Sequence, residues 1–190
     1  AYSVAGFGQN FICTIIGRLG DGSNREDGIY VLLKETIDNS IDEFNEGYGK
    51  RIDVEIEESR SAMVRDYGRG IPLGGLIPAV SQLNTGAKYD TSVFTASVGL
   101  NGVGLKAVNA LSRLFVARSH RDGKFHEATF EYGKLINDVS GDTEEEDGTY
   151  IYFEPDPQQF KNFKFRAEYV EFMLRNYTYL NTGLTIMYNG

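Results

Sequence analysis

Apolar residues near the start of the chain recur at steps of three or four: Ile29, Leu33, Ile37, Ile41 and Phe44. That spacing places them on one stripe and predicts a helix over 28–46, with Gly47 and Gly49 to stop it. The pattern then switches to alternation. Ile52, Val54 and Ile56 share one face of a strand over 51–57, and a turn through Glu58–Arg60 leads to a second strand ending near Asp66. A short helix is expected over 74–83 and another from near Gly104 to about Ser112. Strands over 113–120 and 124–132 flank Asp122-Gly123, a dipeptide suited to a tight hairpin turn. A further strand spans 148–154, and the acidic run Asp142–Asp147 reads as a solvated loop. Tyr169, Val170, Met173, Tyr177 and Leu180 mark a helix over 166–180, and 184–188 forms a closing strand. Helices and strands mixed in this order predict an α/β (α+β) two-layer sandwich, with helices on one face of a mixed β-sheet.

The 190 residues suffice for one domain with a sizeable core. Nineteen basic residues against 27 acidic ones give a net charge of −8. That argues against a primary nucleic-acid grip, which needs clustered Lys and Arg. It also means that any phosphate site must be built locally, from backbone N–H groups, a helix N-terminus, a few Lys residues or a divalent cation. Cys13 is the only cysteine, so an internal disulfide is impossible and a reducing, cytoplasmic compartment fits. His120 and His126 have no cluster at transition-metal spacing. The apolar stretch Phe11 to Ile16 is too short to cross a bilayer.

Three stretches carry candidate chemistry. In the first helix Glu35, Asn39 and Asp42 fall on one stripe opposite the apolar one; a solvated polar face is the simplest reading. Asn is nevertheless a poor mid-helix residue, and an Asn flanked by carboxylates one turn away offers oxygen ligands suited to Mg²⁺. In Asp66-Tyr67-Gly68-Arg69-Gly70-Ile71-Pro72 a carboxylate stands at a strand end before two glycines. It is either an ordinary turn or a rigid acceptor for the exocyclic amino group of adenine. In Gly99-Leu100-Asn101-Gly102-Val103-Gly104 the glycines lead into a helix and let backbone N–H groups approach phosphate oxygens. This loop lacks the Gly-Lys-Ser/Thr ending of a P-loop. Upstream, Gly86-Ala87-Lys88 adds a cationic contact.

Taken in order, these motifs resemble the GHKL ATPase superfamily of type II topoisomerases, heat-shock chaperones of the ninety-kilodalton class, MutL and histidine kinases. Glu35–Glu43, Asp66–Pro72, Asn84–Asp90 and Val98–Ser112 look specifically like the B subunits of gyrase and topoisomerase IV. The resemblance runs from about Arg18 to the C-terminus and implies a Bergerat-type ATP-binding fold. It implies that Glu35 is the general base for ATP hydrolysis, that Asn39 coordinates Mg²⁺, and that Asp66 reads adenine with a water held by Thr149. Gly70, Ile71 and Pro72 would line the base pocket. Lys88, Leu100, Asn101, Gly102, Val103 and Gly104 would surround the phosphates, and Asp38 and Asp42 would support from behind.

The same resemblance implies a single N-terminal ATPase domain over 1–190, with transducer and DNA-gate domains outside it. The expected partners are the topoisomerase A subunit and DNA, reached through those other domains. The fragment is expected to be monomeric and slow, the full-length protein to dimerise on ATP binding, and ATP-competitive inhibitors to bind. Departures are visible: GQNFICTIIG over 8–17 replaces the usual N-terminal segment, Asn101 stands where many gyrases carry His, and Glu127 stands where they carry a pocket-mouth arginine important for aminocoumarins. A chaperone or MutL type of ATPase, or a nucleotide sensor without hydrolysis, are the alternatives. Asn84–Asp90 weighs against the first and Glu35 against the second.

Overall fold

The computed structural model describes residues 2–3, 16–83 and 103–190. Asn84–Asp90, with Lys88, and Leu100, Asn101 and Gly102 lie outside the described residues, as does Cys13. The elements are β1 (Tyr2–Ser3), α1 (Gly28–Asn45), β2 (Arg51–Glu57), β3 (Ser61–Asp66), a 3₁₀ turn (Leu73–Gly75), α2 (Leu76–Ser81), β4 (Gln82–Leu83), α3 (Gly104–Ala110), β5 (Ser112–Arg121), β6 (Lys124–Glu131), β7 (Lys134–Asp142), β8 (Gly148–Pro155), α4 (Ala167–Leu180) and β9 (Thr185–Tyr188).

Seven strands form one sheet in the order β7-β6-β5-β8-β3-β2-β9. Every pair is antiparallel except β2 with β9, which makes the sheet mixed. The short strands β1 and β4 pair separately. Ile52 and Val54 of β2, Ala62 and Val64 of β3, Phe115 and Ala117 of β5 and Ile151 and Phe153 of β8 are buried in one core with Ile29, Leu33 and Ile37 of α1. Strand side chains alternate between faces, so their intervening neighbours form the opposite, more accessible face: Glu55 is exposed, and Met63, Val116 and Tyr152 are half-buried. This is the two-layer arrangement expected.

The α1 stripe is wider than the apolar pattern indicates, because Thr36 and Ser40 are buried alongside Leu32, Leu33, Ile37 and Ile41. Asp27 stands at the N-cap of α1 without bonding into the helix. Instead its fully buried carboxylate accepts the N–H groups of Gly22 (2.9 Å) and Asn24 (3.1 Å) and closes the preceding loop.

Hairpin turns account for much of the rest. Asp122-Gly123 and Tyr132-Gly133 both place their two residues at positive φ, the conformation that matches the twist of two-residue hairpins. The second hairpin creates β7, a strand that the sequence pattern does not announce. All nine of its residues are exposed, so it has no buried face to impose alternation and is held by its pairing with β6. The acidic run therefore begins inside this strand, at Asp142, and only then becomes a loop. Two further expectations change. The 74–83 helix resolves into a 3₁₀ turn, the short α2 and the β4 strand. On α4, Val170 and Leu174 are buried, whereas Leu180 at the helix end is 82% exposed.

Candidate functional site

Helix α1 packs against β3 and β8 and against α3. Glu35 is half-buried on α1, and the first residue of α3 lies against it: a Cβ on Gly104 would fall 2.3 Å from Glu35 Oε2. Burial pushes the Glu35 carboxyl above its ordinary range; Lys34 opposes the rise and Asp38 adds to it. Asn39, one turn on, is half-buried on the same stripe. Asp38 is turned toward α4, where it accepts the Tyr177 hydroxyl, and it also pairs with Lys34. Asp42 is half-buried, and burial raises its carboxyl first, followed by the nearby charges of Asp38, Glu46 and Glu43.

Asp66 ends β3 and is 2% exposed. Its Oδ1 accepts the backbone N–H groups of Gly68 (3.0 Å) and Thr149 (3.1 Å), and its Oδ2 accepts the Ser40 hydroxyl (3.1 Å). Burial raises this carboxyl, while those three hydrogen bonds and the nearby Arg65 guanidinium favour its ionised form. A buried carboxylate held from three sides is a fixed acceptor with lone-pair capacity left over, since two carboxylate oxygens offer about four acceptor directions.

The backbone leaving Asp66 is shaped by two constraints. Gly70 sits at φ +74°, and a Cβ there would lie 2.4 Å from the His120 carbonyl and 2.8 Å from Ser119 Oγ, so only glycine fits. The Ser119 hydroxyl donates to the Ile71 carbonyl at 2.6 Å and carries the chain on to Pro72. On the other side, Arg69 reaches back to α1. Its backbone N–H and Nε donate to Glu43 Oε2 (3.0 and 3.2 Å), its Nη2 donates to Glu43 Oε1 (2.8 Å) and to Glu46, and it covers the Tyr48 ring at 4.0 Å. Arg69 therefore fastens the Asp66 loop to the end of α1.

The structure thus brings Glu35, Asn39, Asp66, Gly70, Thr149 and Gly104 onto adjoining parts of α1, β3, β8 and α3. It also shows two contributors that the sequence pattern does not single out. Ser40 follows Asn39 in what looks like helix filler; its one signal is a hydroxyl on the edge of the buried stripe. Tyr177 falls on the core stripe of α4 by its spacing, and its hydroxyl instead reaches Asp38. Glu127 forms an ion pair with Arg118, its cross-strand partner on β5, and Arg118 also lies over the Tyr150 ring at 5.7 Å.

Comparison with known proteins accords with this geometry. Residues 24–159 match the family described as Histidine kinase-, DNA gyrase B-, and HSP90-like ATPase. The chain belongs to this family. The B subunit of DNA topoisomerase 4 from Borreliella burgdorferi is 53% identical over 174 residues, covering 92% of this chain and 29% of that protein. The B subunit of DNA gyrase from Thermotoga maritima is 37% identical over 175 residues, covering 87% of this chain and 27% of that protein. Among solved structures, the 43K ATPase domain of Thermus thermophilus gyrase B, in complex with an aminocoumarin, is similar with a TM-score of 0.75 at 30% identity, over 93% of this chain and 45% of that one. The sandwich is accordingly the ATP-binding GHKL fold, homologous to the ATPase domains of gyrase B and topoisomerase IV B. The chain spans less than a third of the length of these two curated relatives.

The residues present suit ATP. Asp66 offers a buried acceptor for an amino group, and the missing Cβ of Gly70 keeps the backbone beside it close to β5 and β8. Among the described residues there is no group of three or more His, Cys, Asp or Glu placed to hold a metal. Mg²⁺ commonly takes one or two protein oxygens and completes its shell with phosphate oxygens and water. Asn39 supplies an oxygen of that kind. No helix among the described residues is long and apolar enough to cross a membrane.

Proposed function

We propose that this chain binds and hydrolyses ATP as the ATPase domain of a type II DNA topoisomerase B subunit, in which ATP closes a gate for DNA strand passage. The observation that carries this reading is the buried Asp66 carboxylate. It is held by Ser40, Gly68 and Thr149 at one end of a helix whose Glu35 stands against the tip of α3.

In this reading Asp66 accepts the exocyclic amino group of adenine, aided by a water that Thr149 helps to hold, and Gly70, Ile71 and Pro72 line the base pocket. Guanine presents a carbonyl where adenine has its amino group, so acceptor would face acceptor at a cost of about 1–3 kcal/mol. Lys88 and the backbone of Leu100, Asn101, Gly102, Val103 and Gly104 surround the phosphates. Asn39 would hold Mg²⁺, which would supply charge neutralisation along the triphosphate. Glu35 orients the attacking water and takes up its proton at a carboxylate oxygen, a role that its half-buried position and raised proton affinity suit. Asp38 and Asp42 act from behind, Asp38 through its charge on Glu35 and through Tyr177.

The domain assignment over 1–190, the topoisomerase A subunit and DNA as partners through further domains, ATP-dependent dimerisation of the full-length protein, a monomeric and slow fragment, and a cytoplasmic location belong to the same proposal. So do ATP-competitive inhibitors. The aminocoumarin bound by the Thermus thermophilus domain motivates this, and the Glu127–Arg118 pair at the pocket mouth predicts an altered affinity rather than lost ATP binding.

Calorimetry with ATP and GTP, with and without Mg²⁺, tests the reading on the wild type and on Asp66→Asn. Binding of ATP in preference to GTP, lost in the variant, is expected. Equal affinity for the two nucleotides, or a variant that binds ATP as the wild type does, would overturn it.

A further inference from the structure

Hydroxyls on helices usually turn back onto their own helix. Four here do so: Thr36 Oγ1 donates to the Leu32 carbonyl at 2.9 Å, Ser81 Oγ to Ile77 at 2.6 Å, Thr178 Oγ1 to Arg175 at 2.8 Å, and Ser112 Oγ, just beyond α3, to Val108 at 2.6 Å. Ser40 is one turn beyond Thr36 on the same helix and is 4% exposed. Its hydroxyl instead crosses from α1 to β3 and donates to Asp66 Oδ2.

The direction of that bond has a consequence for the carboxylate. Both backbone donors, Gly68 and Thr149, act on Oδ1. The last torsion of an Asp side chain is broad and roughly two-fold, so bonds to one oxygen alone leave the carboxylate plane loosely set. Ser40 fixes the other oxygen. It also occupies one acceptor direction of Oδ2 and leaves the remaining one for a ligand.

We propose that Ser40 is a positioning residue for base specificity: its hydroxyl sets the plane of the Asp66 carboxylate and thereby selects a purine that carries a 6-amino group. This rests on the reading of Asp66 as the adenine acceptor. Ser40 also follows Asn39 directly and shares α1 with Glu35, so the helix that bears the hydrolytic residues is joined through one hydrogen bond to the group that reads the base. A ligand that donates to Oδ2 finds an acceptor already aligned; a ligand without the amino group gains nothing from that alignment.

The experiment compares ATP with the purine riboside triphosphate that has hydrogen in place of the 6-amino group, both with Mg²⁺, by calorimetry on the whole chain. Ser40→Ala should weaken ATP about tenfold, the worth of one hydrogen bond to a charged group, and change the 6-unsubstituted nucleotide less than about twofold. Ser40→Thr and Ser40→Val differ by a hydroxyl against a methyl, so they separate the hydrogen bond from packing. Thr should keep the preference for ATP and Val should lose it. Equal weakening of both nucleotides by Ser40→Ala, or no difference between the Thr and Val variants, overturns the proposal. Asp66→Asn is measured alongside. If it leaves ATP affinity unchanged, the reading of Asp66 itself has failed; if it abolishes ATP binding while the Ser40 variants keep wild-type preference, Ser40 alone has been misassigned.

Discussion

The Glu35 carboxylate lies against Gly104 so closely that a single added carbon would come within 2.3 Å of Oε2. The glycine at the head of α3 is therefore part of what positions a side chain on α1. Gly104→Ala should push the carboxylate aside. We expect single-turnover hydrolysis of ATP to fall by roughly 10²-fold, the penalty typical of a displacement of about 1 Å at a reacting group. The loss of ATP affinity, read by calorimetry, should be much smaller.

Glu35→Gln keeps the shape of the side chain and removes its basicity. Nucleotide binding should persist while hydrolysis falls by about 10²–10⁴, the usual worth of a general base. Because burial and then Asp38 hold the Glu35 carboxyl above its ordinary value of 4.5, with Lys34 opposing, the base is lost as pH falls through a value higher than 4.5. The acid limb of the rate profile should lie above that point, and Asp38→Asn should move it down. A limb that stays in place in the Asp38 variant would contradict this account.

The Arg69–Glu43 clasp gives stability its own pH dependence. Burial alone would raise the Glu43 carboxyl, yet hydrogen bonds from the Arg69 side chain and backbone hold it below 4.5. A carboxyl depressed in the folded state stabilises the fold fully above its unfolded value, and the contribution disappears as pH falls through the lower, folded one. Melting temperature followed from about pH 7 down to about 3 should therefore fall below about 4.5, and the Glu43→Gln protein should lose less over that interval than the wild type.

Gly70→Ala should be among the more damaging small substitutions. It combines φ +74° with a 2.4 Å approach to the His120 carbonyl, for a cost on the order of 3 kcal/mol. In a domain of this size that corresponds to a fall of roughly 6–12 °C in melting temperature, measurable by calorimetric scanning.

Most of the fold could be read from the chain because most elements bury one face, and a buried face writes a period into the sequence. The α1 stripe, the alternation of β2 and the Asp122-Gly123 turn are of this kind. Strand β7 escaped because exposure on both faces removes the period. In the candidate site, Asn39 and Asp66 stand out in the sequence as an Asn in mid-helix and a carboxylate before two glycines, whereas Glu35 reads as part of a solvated polar face and takes its proposed role from the family resemblance. Ser40 and Tyr177 do not stand out, because a serine on a helix and a tyrosine in a core stripe look ordinary. Their meaning lies in partners 26 and 139 residues away, which no local pattern encodes.

The exposed strand β7 has a consequence of its own. One of its edges is paired to β6 and, among the described residues, the outer one pairs with no other strand, which leaves a ladder of amide and carbonyl groups onto which another chain could zip. Asp138 and Asp142 on the strand are engaged by His126 and Lys124 of β6, so the like charge at this border comes from the loop that follows, Glu144, Glu145, Glu146 and Asp147. Two such acidic borders repel each other at neutral pH, and added salt screens that repulsion. Colloidal stability should therefore fall with added salt and near pH 4.8, where the net charge expected from the sequence vanishes, with association seeded at this border of the molecule.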